Sequence, residues 1–200
     1  MIEVEIKAKI NDPEEIKSKL KNLGARYLVS LEHKDTYYNM PRKLRDFRKT
    51  DEALRIRESK EFKTSNPNDG ENQFKYYLTY KGEKIDDQTK TRKELEVKFE
   101  NVENLKEILD TLNFRDIITV KKKRDLYEII YDDNKIECLI DYLPILDQFF
   151  IEVEVIVELK EQVSQKTKEL FSFLKELNIE KSDSIRKSYL ELIVEKLQSN

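Results

Sequence analysis

The amino-acid sequence predicts an α+β fold, a large and mostly antiparallel sheet with helices packed on its outside. Three observations predict it. Within Met1 to Ile10, apolar and charged side chains alternate without a break from Ile2 onward, which is the period of a strand. The alternation returns at Leu54-Arg55-Ile56-Arg57, Glu94-Leu95-Glu96-Val97-Lys98 and Ile151-Glu152-Val153-Glu154-Val155. A few separate segments carry apolar residues at helical spacing, with no helical repeat and no coiled-coil heptad.

The elements follow in order. After the first strand, Asn11-Asp12-Pro13-Glu14-Glu15 supplies a capping residue, a first-turn proline and acids near the helix's positive end. Ile16, Leu20 and Leu23 form the apolar stripe of that helix, and Gly24 stops it. Tyr27 to Leu31 and Asp35 to Tyr38 read as two strands. Pro41 to Thr50 is basic and irregular and leads into a strand from Ala53 to Glu58. Ser65-Asn66-Pro67-Asn68-Asp69-Gly70 marks a mobile hairpin loop within Lys60 to Asn72, followed by an aromatic strand from Gln73 to Lys81. Residues 83–91 are polar and loop-like, and Thr91 to Glu100 is the next strand. Val102, Leu105, Ile108, Leu109 and Leu112 define a helix. Strands are expected at about 117–124, 126–132 and 135–143, turning at Asp132-Asp133-Asn134, and again from Phe149 to Val157. Helices are expected from Glu158 to Leu177 and from Asp183 to Leu197.

A chain of 200 residues suits one domain, spanning 1–200, with a core of useful size. It is 40% charged, yet its formal net charge is only -3, which argues against general nucleic-acid binding. One cysteine, Cys138, excludes an internal disulfide and a multi-cysteine zinc site, and its strand-like flanks predict a buried, inert thiol. No apolar run approaches ~20 residues and no signal-like segment opens the chain, so a soluble cytoplasmic protein without a membrane partner is expected.

The charge pattern says more. Glu3, Glu5, Lys7 and Lys9 share one face of the first strand, acids followed by bases. Glu94/Glu96 and Glu152/Glu154 repeat the acidic pair, while Arg55/Arg57 and Lys122/Arg124 form basic ones. Like charges two residues apart repel one another, more strongly in an enclosed space than on a wet surface, and their repetition calls for counter-ions. Closing the sheet into a barrel places these rows inside and leaves the apolar rows for helices to cover. A lumen with acidic and basic walls suits a polyphosphate and its divalent cations. Carboxylates and water hold Mg²⁺ or Mn²⁺, arginine forks grip phosphate, and lysine neutralises it.

An ordered set of motifs resembles the CYTH superfamily, the triphosphate tunnel metalloenzymes. The set comprises Glu3-x-Glu5-x-Lys7, Asp35-Thr36-Tyr37-Tyr38-Asn39, Ala53-Leu54-Arg55-Ile56-Arg57 and Leu78-Thr79-Tyr80-Lys81-Gly82. It continues with Thr91-Arg92-Lys93-Glu94-Leu95-Glu96, Lys122-Lys123-Arg124-x-x-Tyr127 and Phe150-Ile151-Glu152-Val153-Glu154. Lys187-Ser188-Tyr189-Leu190-Glu191-Leu192 is similar to the ending of the class IV adenylyl cyclase branch. The resemblance implies a closed, eight-stranded antiparallel β-barrel with a charged lumen and helices outside. It implies metal-side acids at Glu3, Glu5, Glu152 and Glu154, with Asp141 similar to an acid often found before the final motif. Glu5, Glu94 and Glu96 would take part in the chemistry, ligating metal or orienting water. Lys7, Arg55, Arg57, Lys81, Arg92, Lys122 and Arg124 would hold phosphate oxygens, and Lys9 shares their face.

The sequence also departs from the family. A Leu-Gly turn often precedes the last acidic strand, and here the stretch is Leu146-Asp147-Gln148-Phe149, which leaves that turn's backbone geometry open. His33 is assigned outside the alternating rows, with a surface or structural role. Asp35, Tyr37 and Tyr38 are assigned to strand packing, Tyr37 being the best candidate among them for a substrate contact. The expected activity is hydrolysis of inorganic tripolyphosphate with Mg²⁺ or Mn²⁺. The alternative is conversion of ATP to cyclic AMP and pyrophosphate, and the third reading is a non-catalytic polyphosphate-binding module. The expected partner is tripolyphosphate or a nucleoside triphosphate, and a homodimer is compatible with the reading.

Overall fold

Residues 2–62, 74–85, 89 and 91–199 are described by a computed structural model. The strands are β1 (Ile2–Ile10), β2 (Arg26–Asn39), β3 (Ala53–Phe62), β4 (Phe74–Lys84), β5 (Arg92–Phe99), β6 (Arg115–Tyr131), β7 (Asn134–Leu143) and β8 (Gln148–Val157). The helices are α1 (Pro13–Asn22), α2 (Val102–Thr111), α3 (Val163–Glu176) and α4 (Tyr189–Gln198). The eight strands close into an antiparallel barrel in the order β1-β5-β4-β3-β2-β6-β7-β8, as the alternating charges predict. The seam is uneven. β1 pairs with β8 along its whole length, from Ile2↔Val157 to Ile10↔Phe149, but meets β5 only at Ile2↔Lys93 and Glu3↔Arg92.

The apolar rows face outward, as expected. The largest cluster joins Val4, Ile6 and Ala8 of β1, Ile136 and Cys138 of β7, and Ile151 and Val153 of β8 to Leu20 of α1 and Leu170, Phe173 and Leu174 of α3. A second cluster sets Val102 and Leu109 of α2 over Tyr38 and Ile56. Each such side chain, fully buried, contributes about 1.5–3 kcal/mol. Burial pushes the Cys138 thiol up, away from its reactive form.

Helix α4 departs from the expected arrangement. Its Tyr189 and Ile193 pack on Val120, Leu143 and Phe150, which continue the inward rows of Lys122, Asp141 and Glu152. It therefore lies over the barrel interior rather than on the outer wall. It also begins later than expected. Asp183 belongs to a short 3-10 turn (Lys181–Asp183), and Ser184 forms an antiparallel bridge with Ala8. The Ile185 amide donates to the Lys7 carbonyl at 2.7 Å, so this segment pairs with β1 where β5 has left it. The helix starts at Tyr189 behind a reciprocal cap, in which Ser188 Oγ accepts from the Glu191 amide and the Glu191 carboxylate accepts from the Ser188 amide.

Other boundaries also differ. Tyr27 to Leu31 and Asp35 to Tyr38 are parts of one strand, β2, and residues 117–132 lie almost wholly in one strand, β6. β4 runs on to Lys84, and α3 begins at Val163 after a 3-10 turn at Lys160–Gln162. The stretch Ser65 to Gly70 lies outside the described residues. Two turn predictions hold in detail, and the turn left open is resolved. Gly24 closes α1 at φ +87°, and Asp132 and Asp133 form the β6–β7 turn at φ 46° and 61°, the primed geometry that suits a tight hairpin. Asp147, at φ 50°, adopts the left-handed backbone usually given to glycine, and its Oδ1 accepts from the Tyr142 hydroxyl at 2.8 Å. No helix is long and apolar enough to cross a membrane among the described residues.

Candidate active site

The inward rows surround a cavity of about 710 Å³. Its acidic side is built by β1 and β8. Strand register sets Glu5 opposite Glu154, and the ligand oxygens of Glu3, Glu5 and Glu154 lie within 4.8 Å of one another. Burial, with repulsion from Glu3 and Glu5, holds the Glu154 carboxyl well above the usual range. Three hard oxygen donors gathered against their own repulsion fit a divalent cation of the Mg²⁺ or Mn²⁺ type.

The basic side comes from β3, β4, β5 and β6. Arg55, Arg57, Lys81, Arg92, Lys122 and Arg124 all line the cavity. Within the described protein they are matched to carboxylates. Arg57 donates through Nε and Nη2 to the two oxygens of Asp35, both at 2.7 Å, and Arg55 reaches the same group at 3.5 Å. Arg55 also lies 3.6 Å from Glu96 and 3.9 Å from Glu94. Lys81 contacts Glu94 at 2.5 Å and Glu3 at 3.6 Å, linking the basic side to the acidic one. Burial alone would raise Asp35, but Arg57 and Arg55 outweigh it and hold the carboxylate well below its usual range.

A second knot lies on β6, β7 and β8. Arg124 forks onto Asp141 with both contacts at 2.6 Å and reaches Glu152 at 2.6 Å. Lys122 and the Tyr189 hydroxyl also donate to Asp141, at 3.0 and 2.8 Å. Burial, reinforced by Arg124, pushes Lys122 down to about 8 despite Asp141. Asp141 therefore sits at the centre of an ion-pair knot, apart from the acidic trio. Glu152 faces the cavity but is joined to Arg124 rather than to that trio.

Lys7 lies one layer deeper than expected. It is fully buried, with Nζ 4.1 Å from the centre of the Tyr189 ring and 4.0 Å from Glu152. Lys9 is exposed and does not line the cavity. Glu94 and Glu96 line it together with Glu3 and Glu5.

Sequence reasoning missed two groups. Asp35 was assigned to packing, yet it is the buried anchor of Arg55 and Arg57. His33 is buried on the same row of β2, with its register partner Lys122 across the strand pair. Burial and the charges of Arg57, Lys122 and Arg124 hold its imidazole neutral. His33, Asp35 and Tyr37 share a parity, but Glu32 and Lys34 put charges on the other one and mask it. Asp35 and Tyr38 line the cavity, and so does Tyr37. With Phe47, Ile117, Leu190 and Val194 it contributes apolar surface to the cavity lining.

These features agree with three comparisons. A family model described as CYTH domain matches residues 1–189. The chain is 40% identical over 192 residues to a Methanocaldococcus jannaschii protein named "Putative adenylate cyclase MJ0240", covering 96% of this chain and 98% of that protein. The structure of the PH1819 protein from Pyrococcus horikoshii superposes with a TM-score of 0.82 at 37% identity, covering 97% and 99% of the two chains. A Hippeastrum protein, described as a "putative adenylyl cyclase" that reveals a dominant triphosphatase activity, shares the fold. Its TM-score is 0.60 at 16% identity, over 97% of this chain and 96% of that one.

Proposed function

We propose that this chain, which belongs to the CYTH domain family, is a divalent-metal-dependent triphosphatase whose substrate is inorganic tripolyphosphate. The family acts on triphosphates or nucleoside triphosphates with divalent metals. The observation that carries the reading is one cavity whose lining holds an acidic trio and seven cationic side chains, Arg48 among them. A pure anion receptor would gain nothing from gathering Glu3, Glu5 and Glu154 against their mutual repulsion.

Glu3, Glu5 and Glu154 would hold the metal, which supplies charge neutralisation at the phosphate oxygens when bound. Arg55, Arg57, Lys81, Arg92, Lys122 and Arg124 would bind and align the phosphate chain. Phosphoryl transfer consists mostly of such positioning and charge stabilisation. Glu94 and Glu96 would orient the attacking water and accept its proton. The water oxygen bonds to the terminal phosphorus, the bridging P–O bond breaks, and its electrons leave on pyrophosphate.

A second reading is ATP cyclisation, in which a ribose hydroxyl attacks the α-phosphorus. It is favoured by the apolar lining of Tyr37, Phe47, Ile117, Leu190 and Val194, which offers room for a nucleobase. It is also the activity in the name of the Methanocaldococcus relative. Hydrolysis asks for fewer features, and a dominant triphosphatase activity is described for the Hippeastrum fold relative. The deciding experiment supplies ATP and tripolyphosphate separately with Mg²⁺ and Mn²⁺ and resolves the products. Phosphate from tripolyphosphate without cyclic AMP from ATP is expected. Cyclic AMP with pyrophosphate would replace this reading with the cyclase one.

A further inference from the structure

Strand β5 is bonded along one edge only for most of its length. Its partner β4 runs beside it from Tyr76↔Phe99 to Lys81↔Glu94, and on to Lys84↔Arg92. On the other edge β1 covers Arg92 and Lys93, and Leu95 to Phe99 have no strand partner among the described residues. Leu95, Glu96, Val97 and Lys98 are all exposed, so both faces are open as well as the edge. Leu95 is 52% exposed and Val97 63%, both on the outer face, where β1, β7 and β8 carry buried residues. A bare edge with an apolar outer face is a template for another strand.

The order of side chains indicates which strand fits. Consider an identical strand laid antiparallel about a two-fold axis through Val97. Val97 then faces Val97, Leu95 faces Phe99, and Glu96 faces Lys98. The apolar pairs share the outer face and the opposite charges share the inner one, and each pair except the central one occurs twice. Neither neighbouring centre achieves this. An axis through Glu96 would oppose Glu96 to itself, and one through Lys98 would oppose Lys98 to itself. Opposite charges facing across antiparallel strands stabilise the pairing and like charges destabilise it. Closed two-fold pairing is also the commonest form of soluble assembly, and it requires a self-complementary patch.

We propose that this edge of β5 is an interface between two copies of the chain, paired antiparallel with Val97 on the dyad. The inference is independent of which triphosphate reaction the cavity performs.

Cysteine cross-linking tests both the contact and its register. Directly opposed residues in an antiparallel pair have Cα atoms about 4.5–5.5 Å apart, within disulfide reach. Val97→Cys is expected to form a disulfide-linked dimer on mild oxidation. Leu95→Cys, similarly exposed, is expected to stay unlinked because it faces Phe99. A mixture of Glu96→Cys and Lys98→Cys chains is expected to link to each other and not to themselves. Sedimentation of the unaltered chain should show a concentration-dependent dimer, and Val97→Arg should raise its dissociation constant by roughly tenfold or more. A monomer at every concentration, equal linking of Val97→Cys and Leu95→Cys, or a dimer indifferent to Val97→Arg would each overturn the proposal. So would concentration-independent exchange protection of residues 95–99 in a monomer, which would put another segment of the same chain on this edge.

Discussion

Lys122 is held near the edge of neutrality by its surroundings. Burial, aided by Arg124, lowers it to about 8 in the folded protein, against about 10.4 for a free lysine. Between those values the unfolded chain holds a proton that the folded chain has released, so this group's contribution makes stability rise with pH. Lys122→Met removes the contribution. The stability of the unaltered protein relative to that variant should therefore increase across the window, by an amount on the order of 2–3 kcal/mol. Denaturant unfolding of both proteins at several pH values reads this, and a constant difference would contradict it. At Glu154 the repulsion runs the other way. Glu154→Gln relieves it, so thermal stability without metal should be kept or raised. Metal-dependent turnover should fall about 10²-fold or more, and undiminished turnover would exclude Glu154 from the metal site. The residues that were hard to read have a common cause. In Glu3, Glu5, Lys7 and Lys9 the charged row is unambiguous because every intervening residue is apolar. In Leu31-Glu32-His33-Lys34-Asp35 polar side chains occupy both parities, so parity alone did not reveal that His33 and Asp35 turn inward.

Long strands were read as pairs of short ones for a related reason. β2 carries two register shifts against β6, between Tyr27 and Val29 and between Tyr37 and Tyr38. In β6 the run Lys121-Lys122-Lys123-Arg124-Asp125 has no apolar residue to display a period of two. The turn residues were legible because their chemistry is local, at Gly24 and at Asp132-Asp133. The start of α4 was not, because Ile185 has apolar spacing suited to a helix, yet Ser184 and Ile185 find partners on β1. Tyr189 ties this element to the lumen, and two substitutions separate its roles. Tyr189→Phe removes the hydroxyl that donates to Asp141, which keeps Arg124 and Lys122, and should cost about 1–2 kcal/mol. Tyr189→Ala also removes the ring over Lys7 and the contact with Phe150, and should cost about 3–5 kcal/mol. Equal losses in the two variants, measured by chemical denaturation, would show that the hydrogen bond carries the whole effect.

For the whole molecule, the arrangement is a barrel turned inside out, with its apolar clusters under the helices and its charges within. The fold was legible because few sheets place like charges in repeated rows on one face. Under the proposed function, that arrangement would separate the binding of cation and anion onto different walls. Tripolyphosphate with Mg²⁺ should raise the unfolding temperature, since a ligand at a hundredfold excess over its Kd adds about 2.7 kcal/mol. Replacing both Arg55 and Arg57 with alanine should weaken the response to tripolyphosphate far more than the response to Mn²⁺ alone. Glu154→Gln should do the reverse. Thermal shifts of the two variants under each ligand check the assignment, and parallel losses would refute the division into walls.

Arg55, Arg57, Lys81, Lys122 and Arg124 are already matched by Asp35, Glu94, Glu96, Asp141 and Glu152, and this sets an entry condition on any guest. An anion enters by exchange, since each phosphate oxygen must draw an arginine or lysine from a fixed carboxylate a few ångströms away. A guest with one or two charges replaces few of those contacts and leaves the freed carboxylates uncompensated. A chain of phosphates carrying its own divalent cation brings both partners of the exchange at once. Under the proposed function the tunnel would work as a threshold device, selective by charge count, with little hold on a single phosphate.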